Sequence, residues 1–542
     1  MIWIDWLVIL AYFAGIIGFA AARSRSQRDL EDYYLAGRTT PWWQSGFSTM
    51  ATQLGAISFV SAPAFVAIKD GGGMRWLCYE FGVPLGILLV TVVIIPVLHR
   101  HGRISIYEYL EERFDRSTRL LVSALFQLGR GLATAVSVLA GGLILSTALP
   151  ISTAQAIIAI GLVTILYDML GGIRVVIVSD FAQMMIITAG IVICGGVALS
   201  LVGWDFAWQA LSEERMRILD FSRGGFSAGG EYSFWPMAIG GIFLYASYYG
   251  CDQSQVQREM SVGSLGGVRK SLFLNAFGRF PMVLMYCVMG VFVGAVFVSP
   301  DHTSSLARAM DMNTASLKAA LEANPDRMVP MFILSFLPPG VVGLLFVAIL
   351  SALMSSLDSA INSLSAVTIE DFYKPHIKPS ASERHYLVMS KVLTVVWGVF
   401  CIAAALTFSG FGEATRQTTI VLINAVGSLL YGPILAAFLL GVLSREIAAT
   451  NVKFGVVFGI AGNLLLWQLT EISWLWWNLA GFLVTVTVAH LLSIFGMVGG
   501  LKLLDSDLLH NGNKSQRGWK LSNSIVALYF FAIIAVAWLI QS

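Results

Sequence analysis

The chain has 542 residues, of which 57% are hydrophobic and 12% charged, with a mean hydropathy of +0.76 and a formal charge of +2. A soluble domain carries about a quarter of its residues as charged side chains, and runs of about 20 apolar residues are long enough to cross a bilayer. That excludes a soluble globular protein, and so small a charge excess makes no basic field for a nucleic-acid partner.

In chain order, apolar runs lie near 3–22, 44–68, 76–98, 118–148, 151–170, 179–202, 235–257, 272–298, 330–370, 385–408, 416–442, 452–471, 474–498 and 522–540. They predict an all-α integral membrane protein with about 14 transmembrane helices. The first run opens "MIWIDW", without the positive leader of a signal peptide, so it is expected to be retained. Basic residues gather in alternate loops, at Arg23/Arg25/Arg28/Arg38, His99 to Arg103, Arg174, Arg258/Arg269/Lys270, Lys374/Lys378/Arg384, Arg445/Lys453 and Lys502/Lys514/Arg517/Lys520. With those loops inside, both termini face outward, as in a multi-pass protein of the plasma membrane. The longest opposite loops, near 203–234 and 299–329, are too short to fold into a catalytic domain. The five cysteines, Cys78, Cys194, Cys251, Cys287 and Cys401, stand singly in or beside apolar runs, which reads as packing and not as a metal or disulfide framework. No nucleophile–base pair or metal motif points to an enzyme.

Two runs interrupt their own helicity. "STMATQLGAISFVSAPAF" (48–65) crowds Thr52, Gln53, Gly55, Ser58, Ser61 and Pro63 into mid-membrane, and "LYASYYGCDQSQVQ" (244–257) carries Gly250 among aromatic and polar residues. Glycine loosens a helix and proline removes a donor. Irregular backbone survives at membrane depth only where it is buried in protein or lines a cavity. Broken helices in corresponding halves mark a transporter's binding site. A third run, "LSALMSSLDSAINSLSAVTIEDFYKP" (350–375), holds Ser355, Ser356, Asp358 and Ser359 on an otherwise apolar helix. Ala352, Ser355 and Ser356 share one helical face, an oxygen-rich strip suited to a hard cation. Asp180, Asp358 and Arg130 are charges inside apolar segments, and such charges are costly and mark function or internal pairing. For Asp180 the simple partner is a basic loop residue such as Arg174. For Arg130 it is Glu80 or Asp180, unless its guanidinium forks onto a substrate carboxylate.

The segments "EDYYLAGRTTPWW" (31–43), "YDMLGGIRVVIVSDFAQ" (167–183), "YYGCDQSQVQR" (248–258) and "SALMSSLDSAINS" (351–363) resemble, in order, those of the sodium:solute symporter family, over roughly residues 1–445. Asp168 departs from the small hydroxyl residue usual after that tyrosine. The resemblance implies a LeuT-like fold of two five-helix inverted repeats, at 44–202 and 235–442. An extra helix and loop (1–43) would precede them and three helices (443–542) follow. It further implies a main sodium site formed by Ala51, Leu54, Ala352, Ser355 and Ser356. A second sodium site would be formed, as in sialic acid carriers, by Asp180, Ser355, Asp358 and Ser359, with Asp358 standing where a serine is usual. Those carriers place an arginine at the Arg130 position for the substrate carboxylate. Sugar carriers use a glutamate at the Glu80 position, but their glutamine is Ser58 here. Tyr248 matches the aromatic that caps the substrate, and Thr52, Gln53 and Ser58 on the first broken helix, with Asn424 and Ser428 more weakly, complete the candidate pocket.

The expected function is sodium-coupled symport of a small polar organic solute by alternating access. A carboxylate-bearing substrate, sialic acid-like or a monocarboxylate, leads over a neutral sugar or polyol. Sodium is the coupling ion, with no organic cofactor and no obligate protein partner. An ion channel or a solute sensor is the alternative of a different class, but a channel needs a continuous polar lining and these polar residues are clustered.

Overall fold

The computed structural model describes residues 1–24, 27–149, 151–410, 419–495 and 519–541, the side chains of 56–57, 147–148 and 419–424 excepted. The chain opens with α1 (Trp3–Ser24) and a short α2 (Leu30–Leu35) capped by Asp29, whose side chain accepts from the Asp32 N–H. The first apolar run after these is broken into α3 (Trp42–Gln53) and α4 (Ala56–Ala67), bent by 49°. Next come a 3-10 turn (Met74–Phe81), α5 (Gly82–Leu89), a π turn and α6 (Ile95–His101), which together form one long span. The short α7 (Glu108–Arg113) leads into α8 (Arg116–Ala148), α9 (Thr153–Gly171) and α10 (Ile173–Val202). Asp115 caps α8, and Ser152 with Gln155 forms a capping box on α9, each satisfying amide groups that a helix start leaves open.

Beyond α11 (Trp204–Gln209) and α12 (Glu213–Met216), the chain repeats the pattern of a broken segment followed by long helices. The broken segment is α13 (Gly241–Cys251) and α14 (Gln253–Met260), and α15 (Leu265–Val298) follows it. The next loop carries α16 (Pro300–Ala309) and α17 (Thr314–Ala323) and ends in α18 (Met328–Phe336). Then come α19 (Val341–Val367), α20 (Glu383–Ser409), α21 (Thr419–Leu443), α22 (Ala449–Leu469), α23 (Trp474–Ile494) and α24 (Lys520–Gln541).

Among the described residues all fourteen apolar runs are thus helical, but not all are single helices. Among the described residues, 12 helices are long and apolar enough to cross a membrane, and the bent α3–α4 pair makes a further span. The remaining run, near 235–257, is divided at Asp252, and the polar sequence of α14 ("QSQVQREM") keeps it from qualifying. The long loops carry the short helices α11, α12, α16 and α17.

The centre of the bundle is α19, which is buried along nearly its whole length and packs on α1, α8, α9, α10 and α20. Asp5 of α1 seals its start by accepting from the N–H groups of Gly340 (2.7 Å) and Gly343 (2.9 Å). Helices α3 and α4 lie against α15, and α13 packs on α5 and α21. The α5–α13 crossing depends on Gly82, where a Cβ would stand 2.5 Å from the Gly241 carbonyl carbon, the close backbone approach that small residues allow in membranes. All five cysteines are buried and unbridged.

One end of the bundle is closed by charge. Arg119 of α8 donates to the Asp371 carboxylate (Nε 2.9 Å, Nη2 2.6 Å) and to Glu111 (2.8 Å), and Ser105 donates to Asp371 at 2.9 Å. Glu108 faces Arg119 and Arg103, each at 3.7 Å. Burial, with help from the Glu370 and Asp371 carboxylates, pushes Glu108 up to about 7 against the pull of Arg119. Its native form therefore holds a proton more tightly than the unfolded chain, whose carboxyl titrates near the ordinary 4.5. Stability is greatest while Glu108 is protonated and falls as pH rises from 4.5 through about 7. Glu108→Gln is expected to stabilise the protein at pH 8, by an amount of the order of 1 kcal/mol, and to change little at pH 4.5. Thermal unfolding of both proteins in detergent across that range checks it.

Candidate functional site

The first break sits at Leu54–Gly55. Leu54 ends α3 with φ −100° and ψ 42°, and Gly55 is extended at φ −78°, ψ −157° before α4 begins. The helical bond from the Gly55 N–H to the Ala51 carbonyl is not made, while Leu54 N–H still reaches Met50 O at 2.9 Å. A Cβ on Gly55 would lie 3.3 Å from Ala51 O and 3.2 Å from Ala352 O, so the freed carbonyl and the α19 carbonyl converge beside one glycine. Ser355 and Ser356 stand on the same turn of α19, each hydroxyl at a long 3.5 Å from Ala352 O. Leu54 O accepts from the Tyr286 hydroxyl at 2.8 Å and keeps its second lone pair. The set is all oxygen and uncharged, which fits a monovalent hard cation. Among the described residues no three His, Cys, Asp or Glu side chains gather as a metal site.

Asp180, Ser355, Asp358 and Ser359 also cluster, but a protein cation is already among them. Arg258 of α14, fully buried, donates from Nη2 to Asp180 Oδ2 (3.1 Å) and to the Ser359 hydroxyl, and from Nε to Ser48 (2.8 Å). Ser48 in turn donates to Asp180 at 2.5 Å. Asp180 is thus paired across the bundle with Arg258, and not with Arg174 at the helix end. Asp358 accepts from the Tyr167 hydroxyl and from Ser359 (3.1 Å). Asp168, in the last turn of α9, is fully buried and accepts from Asn362 at 3.1 Å.

The substrate candidates divide between two cavities, each of about 360 Å³. The first is lined by Arg130 with Phe126, Ser247, Cys251, Asp252 and Tyr431 among others. Arg130 lies 3.6 Å from Asp252 Oδ2, and its guanidinium carbon is 5.9 Å from the centre of the Tyr248 ring. Its partner is therefore Asp252, not Glu80 or Asp180. Asp252 is held by Ser254, whose N–H and hydroxyl donate to it at 2.8 and 2.6 Å. Tyr248 is buried, and its hydroxyl accepts from Gln255 at 2.9 Å.

The second cavity brings together Gln53, Ser58 and Glu80 with Trp76, Tyr79, Arg279 and Tyr286. Arg279 forks onto Glu80 with two 2.8 Å bonds and reaches the hydroxyls of Tyr249 (3.1 Å) and Tyr245 (3.2 Å). Tyr249 also donates to Gln53 at 3.3 Å.

Three candidates line neither cavity: Tyr248 stands beside Arg130 outside the lining, and Thr52 and Ser428 turn elsewhere. Thr52 turns its hydroxyl back to Ser48 O at 3.0 Å, the local bond that Thr makes in membrane helices. Ser428 faces the opposite way and accepts from Asn478 of α23 at 3.0 Å. The side chain of Asn424 lies outside the described residues.

Sequence reasoning missed Asp252, Arg258 and Arg279 as site residues. The signal for Arg279 was present in "NAFGRFPMV", a charge two residues before a proline inside an apolar run.

A model of the sodium:solute symporter family matches residues 33–459. The chain is 29% identical to the sodium/sialic acid symporter NanT of Aliivibrio fischeri over 497 residues, which is 90% of this chain and 92% of that one. It is 30% identical to human sodium-coupled monocarboxylate transporter 1 over 469 residues, covering 83% and 72%. The solved structure of a Na+-coupled sialic acid symporter, substrate-bound and outward-open, superposes with a TM-score of 0.79 at 24% identity, over 93% of this chain and 99% of that one. The fold is accordingly LeuT-like, a five-plus-five inverted repeat spanning the membrane many times. With its family model covering most of the length, the chain belongs to the sodium:solute symporter family, a family of sodium-coupled transporters.

Proposed function

We propose that this protein couples sodium entry to the import of a small organic carboxylate. The observation that carries the reading is Arg130, a guanidinium in the wall of a bundle cavity beside Tyr248, whose ion pair is with the single carboxylate of Asp252. A second carboxylate can take the place of Asp252 on the planar fork, and relatives that carry sialic acid or monocarboxylates support that class. The Glu80–Arg279 cavity favours a second reading. Its charges neutralise each other, and it is rich in hydroxyl and amide groups, as a neutral sugar or polyol would require.

In the proposed cycle, sodium binds at Ala51, Leu54, Ala352, Ser355 and Ser356 and ties the broken α3–α4 segment to α19. Substrate then occupies the cavity against Tyr248, and the core moves between two five-helix repeats, 44–202 and 235–442, with 1–43 and 443–542 flanking them. One charge moving through 100 mV contributes about 2.3 kcal/mol to the drive. A second sodium at Asp180, Ser355, Asp358 and Ser359 requires Arg258 to withdraw from Asp180 and Ser359. The alternation of basic loops supports a plasma-membrane protein with both termini outside.

Uptake of radiolabelled sialic acid and of pyruvate into proteoliposomes, with and without an inward sodium gradient, tests the function. Sodium-driven uptake of one of them, lost in Arg130→Ala, is the expected result. Wild-type uptake by that variant overturns the carboxylate clamp, and uptake of hexose or polyol alone selects the second reading. Asp252→Asn removes the internal competitor and is expected to lower the half-saturating carboxylate concentration about tenfold, an effect of about 1.4 kcal/mol. Ser356→Ala is expected to raise the sodium concentration for half-maximal uptake several-fold. Unchanged sodium dependence in that variant sinks the ion-site assignment.

A further inference from the structure

At the end of the bundle where α1 and α9 finish and α10 begins, a cleft of about 490 Å³ is lined by Arg23, Gln27, Asp32, Ala36, Gly171 and Arg174. Its depth follows from the chain. Arg23 is in the last turn of α1, Gly171 closes α9, and Arg174 is the second residue of α10, and all three helices are apolar spans. The cleft therefore lies where hydrocarbon gives way to lipid headgroups. The elbow that forms it is tight. Gly172 (φ +59°) joins α9 to α10 by itself, and a Cβ there would stand 2.6 Å from Tyr33 O.

Two guanidiniums meet one carboxylate in this cleft. Asp32 is already engaged, with Oδ2 accepting from the Arg28 N–H at 3.1 Å. Arg174, only partly exposed, makes no hydrogen bond or ion pair among the described residues. The 30-residue α10 starts with no capping side chain, so the open N–H groups of its first turn add positive potential at the same elbow. Gln27 donates to Leu170 O at 3.0 Å, which leaves its Oε1 buried and without a donor. The cleft thus offers a strong anion-binding wall and, beside it, one acceptor that needs a donor.

We propose that this cleft binds a phosphate group, with Arg23 and Arg174 on its oxygens and Gln27 Oε1 accepting from a hydroxyl or ammonium on the same molecule. Guanidinium matches phosphate geometry in two parallel bonds. A phosphodiester lipid whose headgroup carries a donor satisfies every element at the right depth, and hydrogenphosphate from solution satisfies the same chemistry without the depth. Phosphatidylglycerol and phosphatidylethanolamine carry such a donor, whereas phosphatidylcholine does not. The site is independent of the sodium and substrate residues, and it links α1, which precedes the first repeat, to the α9–α10 elbow inside that repeat.

The test is thermal unfolding of the purified full chain in detergent, titrated with dioleoyl phosphatidylglycerol, phosphatidylethanolamine or phosphatidylcholine, or with sodium phosphate against sodium chloride of equal ionic strength. The expected result is a rise of several degrees with the first two lipids, little with phosphatidylcholine, and loss of the rise in Arg174→Gln and in Arg23→Gln. A rise with sodium phosphate alone assigns the site to the free ion. An equal response of wild type and both variants overturns the proposal, as does an equal response to all three lipids. If Arg174→Gln does not fold, Arg174→Lys keeps the charge but not the fork, and an intermediate shift is expected of it. A wild-type shift in that variant removes Arg174 from the site.

Discussion

Inside a bilayer there is no water to take up a backbone group that loses its helical partner, so each carbonyl freed by a broken helix must be met by the protein or by a bound ion. The two breaks in this bundle meet that demand differently. At the second, Asp252 caps α14 through the Ser254 N–H, and the Tyr107 hydroxyl donates to Cys251 O at 3.1 Å. That break is closed by protein side chains, one from its own segment and one from the residue before α7. At the first, Tyr286 reaches Leu54 O, but the carbonyls of Ala51 and Ala352 face the same small volume beside Gly55. The unmet carbonyl is therefore that of Ala51 on the α3–α4 side, next to the α19 turn that carries Ala352, Ser355 and Ser356.

Charge balance is the second constraint. Arg130 and Arg279 lie inside apolar helices and Arg258 in the polar α14, and each is ion-paired with one carboxylate, Asp252, Glu80 and Asp180 respectively. Breaking a buried pair by removing one partner costs about 3–5 kcal/mol, because the other charge is left alone in a poor solvent. The three pairs are not equivalent. Arg258–Asp180 is fully buried and bound further by Ser48 and Ser359, and Arg279–Glu80 is a two-bond fork. Arg130–Asp252 is longer, at 3.6 Å, and borders a cavity. It is the loosest of the three pairs.

Among the described residues, Asp358 and Asp168 have no arginine bonded to them and rely on Tyr167, Ser359 and Asn362. Together with Asp180 they place three carboxylates near the one guanidinium of Arg258. The serine-rich face of α19 thus supplies oxygens to a candidate ion site on one turn and hydrogen bonds to a buried polar network on the next.

Much of this was legible in the sequence, because span length and apolarity are local properties. A run of apolar residues declares a membrane helix wherever it later packs, and Gly55 with Pro63 announced a broken one. The oxygen strip of Ala352, Ser355 and Ser356 followed from helical spacing, and the family motifs tied it to Ala51 and Leu54. What only the tertiary structure decided is which charge meets which. Arg130 turned to Asp252 and not to Glu80 or Asp180, and Asp180 turned to Arg258 and not to Arg174, while Thr52 and Ser428 faced away from the cavities. The partners in the Asp180–Arg258 pair are 78 residues apart along the chain, and those in the Arg130–Asp252 pair farther still. Periodicity says which face of a helix is polar, but the crossing of one helix over another, set by contacts such as Gly82 on Gly241, determines what that face touches.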